Sequence, residues 1–256
     1  MSEGCVADPV ARAKGRGREG AIRSPSPGRG ATGRSYQPTD RLTQADAAVN
    51  RRGGRAGRAA GDAAPQLAWA CIMTIQTDRL TLRAWRDEDR APFAAMSADP
   101  DVMRYLRALP TRQACDQWID FQIKHFAEHG FGFWVVEDRA TGAFLGATGL
   151  FKVFFDAPFT PAVEIGWRLA RAAWGRGIAT EAARASLAFG FDTLGLDEII
   201  AYAAPANQAS QNVMRKLGMI RDEASDFDHP RVEADSPLRR QAMYRLPRAV
   251  WANASR

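Results

Sequence analysis

Short stretches of alternating apolar and polar residues predict the β-strands of this chain, because successive side chains of a strand point to opposite faces. The stretch 162–169 is the clearest case, since its apolar residues share one face and Glu164, Gly166 and Arg168 share the other. The sequence Arg-Ala-Thr-Gly at 139–142 predicts a hairpin turn between two of the strands. In chain order, strands are predicted at 80–84, 131–135, 143–151, 162–169, 198–204 and 241–246.

Apolar residues that recur every three or four positions predict helices between these strands. The predicted helices lie at 87–98, 111–129, 178 to about 195, and 207–217. The helix at 111–129 is expected to bury one stripe of side chains, made of Cys115, Trp118, Ile119, Ile123 and Phe126. The resulting order, β-α-α-β-β-β-α-β-α-β, predicts an α/β domain with a mixed sheet.

The charge of the chain divides it at about residue 72. Residues 1–72 contain 12 of the 35 basic and 6 of the 29 acidic residues, which leaves 23 of each in 73–256. The first segment is rich in Gly, Ala, Arg, Ser and Pro and has no apolar period, so it is predicted to be a disordered basic extension. It is expected to be an over-extended reading frame with Met73 as the true start, an arm without a function, or a functional arm that binds nucleic acid or acts as a transit peptide, although its glycines and prolines disfavour the helix that a transit peptide needs.

The neutral remainder makes nucleic-acid binding by 73–256 an unfavoured interpretation. The three cysteines are far apart, so neither a disulfide framework nor a zinc site is indicated. His125 and His129 lie four residues apart and are expected on a solvated or partly buried helix face rather than at a metal. No apolar run approaches the roughly 18–20 residues of a membrane span. The chain is therefore expected to be cytoplasmic, with no membrane contact.

A glycine-interrupted loop follows the predicted strand at 162–169. Its sequence, RAAWGRGIATEA at 171–182, leads directly into a predicted helix. Gly175 and Gly177 can bring bare backbone close to a ligand, and the helix directs its free amides and positive dipole end at the loop. This arrangement predicts a phosphate or pyrophosphate site, although two glycines in such a loop are also compatible with a purely steric role.

Residues 75–250 resemble the GNAT superfamily of acyl-CoA-dependent N-acetyltransferases, and most of all its RimJ/RimL-type branch, which includes the ribosomal-protein N-terminal-alanine acetyltransferases. Four segments in family order carry the resemblance: TDRLTLR at 77–83, EIGW at 164–167, WGRGIATEA at 174–182, and Asn207-x-x-Ser210 running on to KLGM at 216–219. The resemblance implies that 73–256 is one N-acetyltransferase domain. Its fold would be α/β (α+β), with a mixed, mostly antiparallel central sheet flanked by helices.

The resemblance also implies acetyl-CoA as co-substrate and assigns the residues that bind it: Trp174, Gly175, Arg176, Gly177, Ile178, Ala179, Thr180, Asn207 and Ser210. Backbone amides at 176–179 would hold the pyrophosphate, with side-chain help from Arg176 and, unless it is simply solvated, Arg171. Asn207 would bond the pantetheine arm, cap its helix, or do both. Ser210 would be a weaker contact or an ordinary polar helix residue.

Direct acetyl transfer needs an uncharged amine, and Glu164 is the candidate base. The alternative is that Glu164 is an ordinary strand residue that forms a salt bridge or lines a cleft. The chain departs from the family at Met214, where many members carry a tyrosine as general acid. The general acid therefore stays unassigned. Tyr202 and Tyr244 are expected in the core. Trp174 replaces the usual Gln or Arg, which the RimJ/RimL-type branch tolerates.

The implied activity is acetyl transfer to a primary amine, either a protein N-terminus or a small molecule, by a monomer or homodimer. A non-catalytic acyl-CoA-binding module is the alternative, which Met214 favours and Glu164 disfavours. The loops at 151–161 and 227–240 are expected to line the acceptor cleft. Asp156 and Asp228 in these loops, and Asp226 just before the second loop, either attract a cationic amine or are simply solvated.

Overall fold

The structure, a computed structural model, describes residues 74–254. The predicted basic extension, 1–72, lies outside these residues. Within 74–254 the strands are β1 (Ile75–Gln76), β2 (Leu80–Arg83), β3 (Phe133–Asp138), β4 (Phe144–Lys152), β5 (Val163–Leu169), β6 (Glu198–Ala203), β7 (Ile220–Arg221), β8 (Phe227–Asp228) and β9 (Arg240–Pro247). The helices are α1 (Arg90–Ser97), α2 (Pro100–Met103), α3 (Arg112–His129), α4 (Ile178–Ala188), α5 (Gln208–Lys216) and α6 (Arg248–Ala254). No helix in this part of the chain is long and apolar enough to cross a membrane.

The strands form one mixed sheet, as predicted. Its order is β1-β2-β3-β4-β5-β6-β9-β7, and β8 pairs with β9 beside this path. All pairs are antiparallel except that of β5 with β6. The crossover between these two parallel strands contains α4, in agreement with the need for a long connection between parallel neighbours.

The two parallel strands separate soon after they meet. β5 and β6 contain seven and six residues, yet their register is confined to Glu164 opposite Ile200. Beyond this point the strands diverge toward their carboxyl ends. Such a crevice at the carboxyl ends of parallel strands is where open α/β sheets bind ligands.

Helices cover both faces of the sheet. On one face, α4 and α5 pack on the larger apolar cluster, which includes Ile165, Leu169 and Leu187. On the opposite face, α1 and α3 contribute Phe93 and Ile119 to a second cluster. Because β5 alternates, Glu164, Gly166 and Arg168 face α1 and α3, whereas the side chains of Ile165 and Leu169 face α4.

The predicted stripe of α3 is wrong at one position. Ile123 is 44% exposed, whereas His125, expected on a solvated or partly buried face, is only 2% exposed. The imidazole can be buried because both nitrogens have partners: Nδ1 donates to the carbonyl of Phe131 over 2.6 Å, and Nε2 accepts from the backbone N–H of Lys152 over 3.3 Å. The ring also stacks on Phe151.

The sequence prediction missed the shortest elements and the last helix. β1, β7, β8 and α2 have two to four residues, which is too short for a period to be visible. The helix at 178 continues past α4 as a π-helical turn, Phe189–Thr193, before the left-handed Gly195, close to where its end was predicted.

Candidate active site

The glycine loop has the backbone that its sequence predicts. Gly175 and Gly177 adopt left-handed conformations, with φ of 70° and 76°, and α4 begins at Ile178 immediately afterwards. Gly177 is the N-cap and supplies no side chain to satisfy the first amides of the helix. Those amides have no acceptor within the helix and are directed at the loop. The loop can therefore receive an anion through backbone donors.

Of the predicted cofactor residues in this segment, those of the loop are exposed and those of the helix start are not. Trp174, Gly175, Arg176 and Gly177 are exposed, Ile178 is buried, and Ala179 and Thr180 are partly buried. The indole of Trp174 donates to the carbonyl of Leu169 over 2.9 Å, so this side chain ties the loop to the end of β5. Arg171 forms an ion pair with Asp101. Sequence reasoning did not predict either contact.

A clamp from the start of β2 holds the loop from the other side. Arg79 donates from Nη1 to the carbonyl of Arg176 over 3.0 Å and from Nε to the carboxylate of Glu181 over 2.7 Å. The hydroxyl of Thr77 also donates to Glu181, over 2.5 Å. Burial raises the pKa of Glu181, but the hydrogen bonds from Thr77 and Arg79 outweigh it and hold that pKa below its usual value. The family-like segment at 77–83 thus contacts the glycine loop directly.

The second predicted cofactor segment lies at the start of α5. Asn207 is the N-cap of this helix, and its side-chain oxygen accepts from the backbone N–H of Ser210 over 3.1 Å. The capping role predicted for Asn207 is therefore present. The glycine loop follows β5, and Asn207 follows β6. Because the two strands are parallel, both segments lie at the same edge of the sheet, on either side of the crevice.

Glu164 lies at the point where the crevice begins. Its side chain is partly buried, and burial raises its pKa to about 7, although a hydrogen bond from the Tyr202 hydroxyl acts in the opposite direction. Burial and the adjacent Glu164 carboxylate raise the pKa of Tyr202 well above its usual value, so the phenol stays protonated and acts as the donor. A carboxyl group with a pKa near 7 can accept a proton at neutral pH.

Tyr202, which was expected in the core, is partly buried and also lies beside Glu164. Tyr202 lies two residues beyond Ile200, which pairs with Glu164, so both side chains project from the same face of the sheet. Only the register of β5 with β6 reveals this proximity, and no local sequence signal encodes that register.

Aromatic rings from both predicted cleft loops meet at Tyr202. We call this cluster the aromatic wall, and it consists of Phe155, Phe159, Tyr202, Phe227 and His229. The ring centroids of Tyr202 and Phe227 are 5.2 Å apart, and those of Phe155 and His229 are 4.7 Å apart. The two loops are also joined by a hydrogen bond from Arg231 to the carbonyl of Phe154. The loops expected to line the cleft are thus together, next to Glu164.

Two of the three loop aspartates have structural partners. Asp226 accepts two hydrogen bonds from Arg221 and one from the backbone N–H of Met243. Asp228 pairs with two arginines of the same loop, 3.5 Å from each. Asp156 is exposed. Met214, at the position where many GNAT enzymes carry a tyrosine, is 2% exposed and belongs to the larger core cluster, so it contributes packing.

A family model described as an acetyltransferase (GNAT) domain matches residues 79–220. The protein YkkB of Bacillus subtilis is 37% identical over 146 residues, which cover 57% of this chain and 84% of YkkB.

Solved structures with the same fold include a GNAT-family acetyltransferase from Bacillus anthracis, with 25% identity, a TM-score of 0.59 and coverage of 69% of this chain and 99% of that one. A spermidine N-acetyltransferase from Vibrio cholerae, solved with CoA and spermine, has 17% identity and a TM-score of 0.56. The match covers 69% of this chain and 100% of that one.

Proposed function

The chain belongs to the GNAT acetyltransferase family, and from this membership we propose that it transfers the acetyl group of acetyl-CoA to a primary amine, either a protein N-terminus or a small molecule. The observation that carries the proposal is Glu164, a carboxyl group with a pKa of about 7 at the origin of the β5–β6 crevice. Residues 73–256 form the acetyltransferase domain in this proposal. The segments TDRLTLR and EIGW support membership of the RimJ/RimL-type branch.

Acetyl-CoA would bind at the carboxyl ends of β5 and β6. The backbone amides at 176–179, at the start of α4, would receive the pyrophosphate, and Gly175 and Gly177 would give it close access. The pantetheine arm would enter the crevice between the strands, past Asn207 and Ser210 on the β6 side. The neighbour from Vibrio cholerae was solved with CoA, which supports this choice of co-substrate.

Glu164 would then act as the general base. At neutral pH about half of the carboxyl groups with a pKa near 7 are ionised, and the ionised form takes a proton from the acceptor ammonium, directly or through water. The neutral amine attacks the thioester carbonyl carbon, the C–N bond forms, the nitrogen releases its second proton to water, and the C–S bond breaks as CoA thiolate departs. A thiolate whose conjugate acid has a pKa near 8.5 is a tolerable leaving group without a dedicated acid. Tyr202 positions Glu164 and stays protonated.

The alternative, a non-catalytic acyl-CoA-binding module, is not favoured. A module without turnover has no need of a titrating carboxyl group at the end of the cofactor crevice, and Glu164 occupies that place. Met214 removes one proton donor, but the leaving-group chemistry does not require that donor.

The proposal is tested by thiol release from acetyl-CoA with the full chain, over a panel of small amines and peptides with free N-termini. We expect acetyl-CoA-dependent turnover with at least one class of amine, and loss of that turnover in Glu164→Gln with retained CoA binding in calorimetry. CoA binding without turnover on any acceptor would favour the module. Absence of CoA binding would contradict both functions.

A further inference from the structure

Arg168 carries a charge that no described residue neutralises. Within 74–254 its side chain has no hydrogen bond or ion pair, and its Nη1 atom is fully buried without a partner. Burial is the main influence on its charge, and no carboxylate of these residues pairs with it. Burial lowers the pKa of Arg168 to about 10, so the guanidinium is still charged at neutral pH.

Two aromatic rings hold this guanidinium in place. Its central carbon lies 5.2 Å from the ring centre of Trp118 and 5.7 Å from that of Phe93, and these two rings stack on each other. Cation–π contacts orient the group, but they accept none of its N–H donors in the plane. A buried, unpaired cation is costly, and the planar fork of a guanidinium suits two oxygens of an oxyanion. The whole Arg168 side chain is only partly buried, so a ligand can approach it.

The position of Arg168 separates it from the proposed pyrophosphate site. Arg168 shares the face of β5 that carries Glu164, and this face looks toward α1 and α3. The glycine loop leads into α4, which packs on the opposite face. The α-carbons of Glu164 and Arg168 are roughly 13 Å apart along the strand. The ring of Phe133 lies over Gly166 between them, so a ligand that touches both side chains must pass beside this ring.

On these grounds, and resting on the proposed function, we propose that Arg168 binds a carboxylate of the acceptor, so that the preferred acceptor is an amine that carries a carboxylate several bonds from its nitrogen. The amine would lie at Glu164, beside the aromatic wall, and the carboxylate at Arg168. A polyamine, whose second group is cationic, would be repelled by the same guanidinium.

The test uses matched acceptors that differ only in charge: 6-aminohexanoate and its methyl ester, and alanylalanine and its C-terminal amide. We expect the wild-type enzyme to prefer the carboxylates by roughly 10- to 100-fold in kcat/KM, as for a hydrogen-bonded charge pair. Arg168→Met should abolish the preference by raising KM for the carboxylates alone, and Arg168→Lys should restore part of it. Arg112→Met, which removes an exposed arginine of α3 paired with Asp116, is the matched control and should keep the preference.

The outcomes separate this inference from the proposed function. Turnover of amines without a carboxylate preference would overturn the role of Arg168 and leave the acetyltransferase proposal standing. If Arg168→Met lowers kcat equally for both members of each pair, or raises KM for acetyl-CoA, then Arg168 binds an oxyanion of the reacting thioester or of CoA. Either result also overturns its role in binding the acceptor carboxylate. If no amine is acetylated, calorimetric binding of hexanoate to wild type and its loss in Arg168→Met still supports the site, whereas no binding overturns it. Because the unpaired charge is costly to bury, Arg168→Met should not lower the Tm.

Discussion

The phenol of Tyr202 lies beside the carboxyl group of Glu164 and lowers its pKa, and this contact spans β5 and β6 where the two strands begin to separate. It places a protonated phenol against a carboxyl group whose pKa burial has raised to about 7. Burial favours the neutral acid and the phenol favours the carboxylate. The balance between them leaves Glu164 able to exchange its proton near neutral pH.

Replacement of Glu164 by Gln should remove base assistance and leave binding intact. We expect kcat to fall by roughly 10²- to 10⁴-fold, the usual contribution of a general base, and the acidic limb of the pH profile near pH 7 to disappear. Steady-state kinetics from pH 5.5 to 9 measure both effects. Glu198→Gln is the matched control, because this glutamate of β6 is paired with Arg245. A Glu164→Gln enzyme with near-normal kcat and profile would remove Glu164 from the mechanism.

Replacement of Tyr202 by Phe should shift the pH dependence. The phenol stabilises the ionised form of Glu164, so its loss should raise the pKa of Glu164 and move the acidic limb of kcat/KM to higher pH by about one unit. Activity at pH 8.5 should be much closer to wild type than activity at pH 6.5. The control is Tyr244→Phe, which removes a buried hydroxyl bonded to Gln211 instead. A limb that stays in place, or moves to lower pH, would contradict the positioning role.

The sequence predicts the parts of this site that depend on local pattern. Alternation placed Glu164 and Arg168 on one face of β5, and the glycines at 175 and 177 placed an anion-binding turn before α4. The contact of Tyr202 with Glu164 could not be predicted, because it depends on the register of two parallel strands separated by a helix. The burial of His125 was missed for a similar reason, since its partners at Phe131 and Lys152 come from outside its helix.

Loss of the clamp between Arg79 and the glycine loop should weaken the binding of acetyl-CoA more than it slows the chemical step. Arg79→Met removes the donors to the Arg176 carbonyl and to Glu181, which leaves the loop less fixed. We expect KM for acetyl-CoA to rise roughly 5- to 30-fold, with kcat within a few-fold of wild type. Glu181→Gln should act in the same direction.

The matched control for the clamp is Glu128→Gln, in an exposed helical pair with Lys124. Acetyl-CoA titrations at saturating acceptor measure the effect. A change in kcat with an unaltered KM for acetyl-CoA would show that the clamp acts elsewhere.

His125 should make the fold sensitive to mild acid. Burial, together with the charges of His129 and Lys152, lowers the pKa of His125 from 6.5 to about 4, despite its hydrogen bond to Phe131. Its folded pKa is depressed, so its contribution to stability is fully present above pH 6.5 and is lost as the pH falls from 6.5 to 4. In that range the unfolded chain binds a proton at this histidine and the folded chain does not. Between pH 7 and pH 5 this linkage amounts to about 2 kcal/mol of unfolding free energy.

Urea unfolding at pH 7 and pH 5 measures the loss, and His125→Gln should reduce it while keeping a donor for the Phe131 carbonyl. His129→Gln is the matched control: burial also lowers the pKa of His129, but this side chain is more exposed, so the effect should be smaller. If wild type and His125→Gln lose the same free energy between the two pH values, His125 is not the group that titrates. In that case the acid sensitivity would have to come from the carboxylates, which lose their stabilising charge at lower pH.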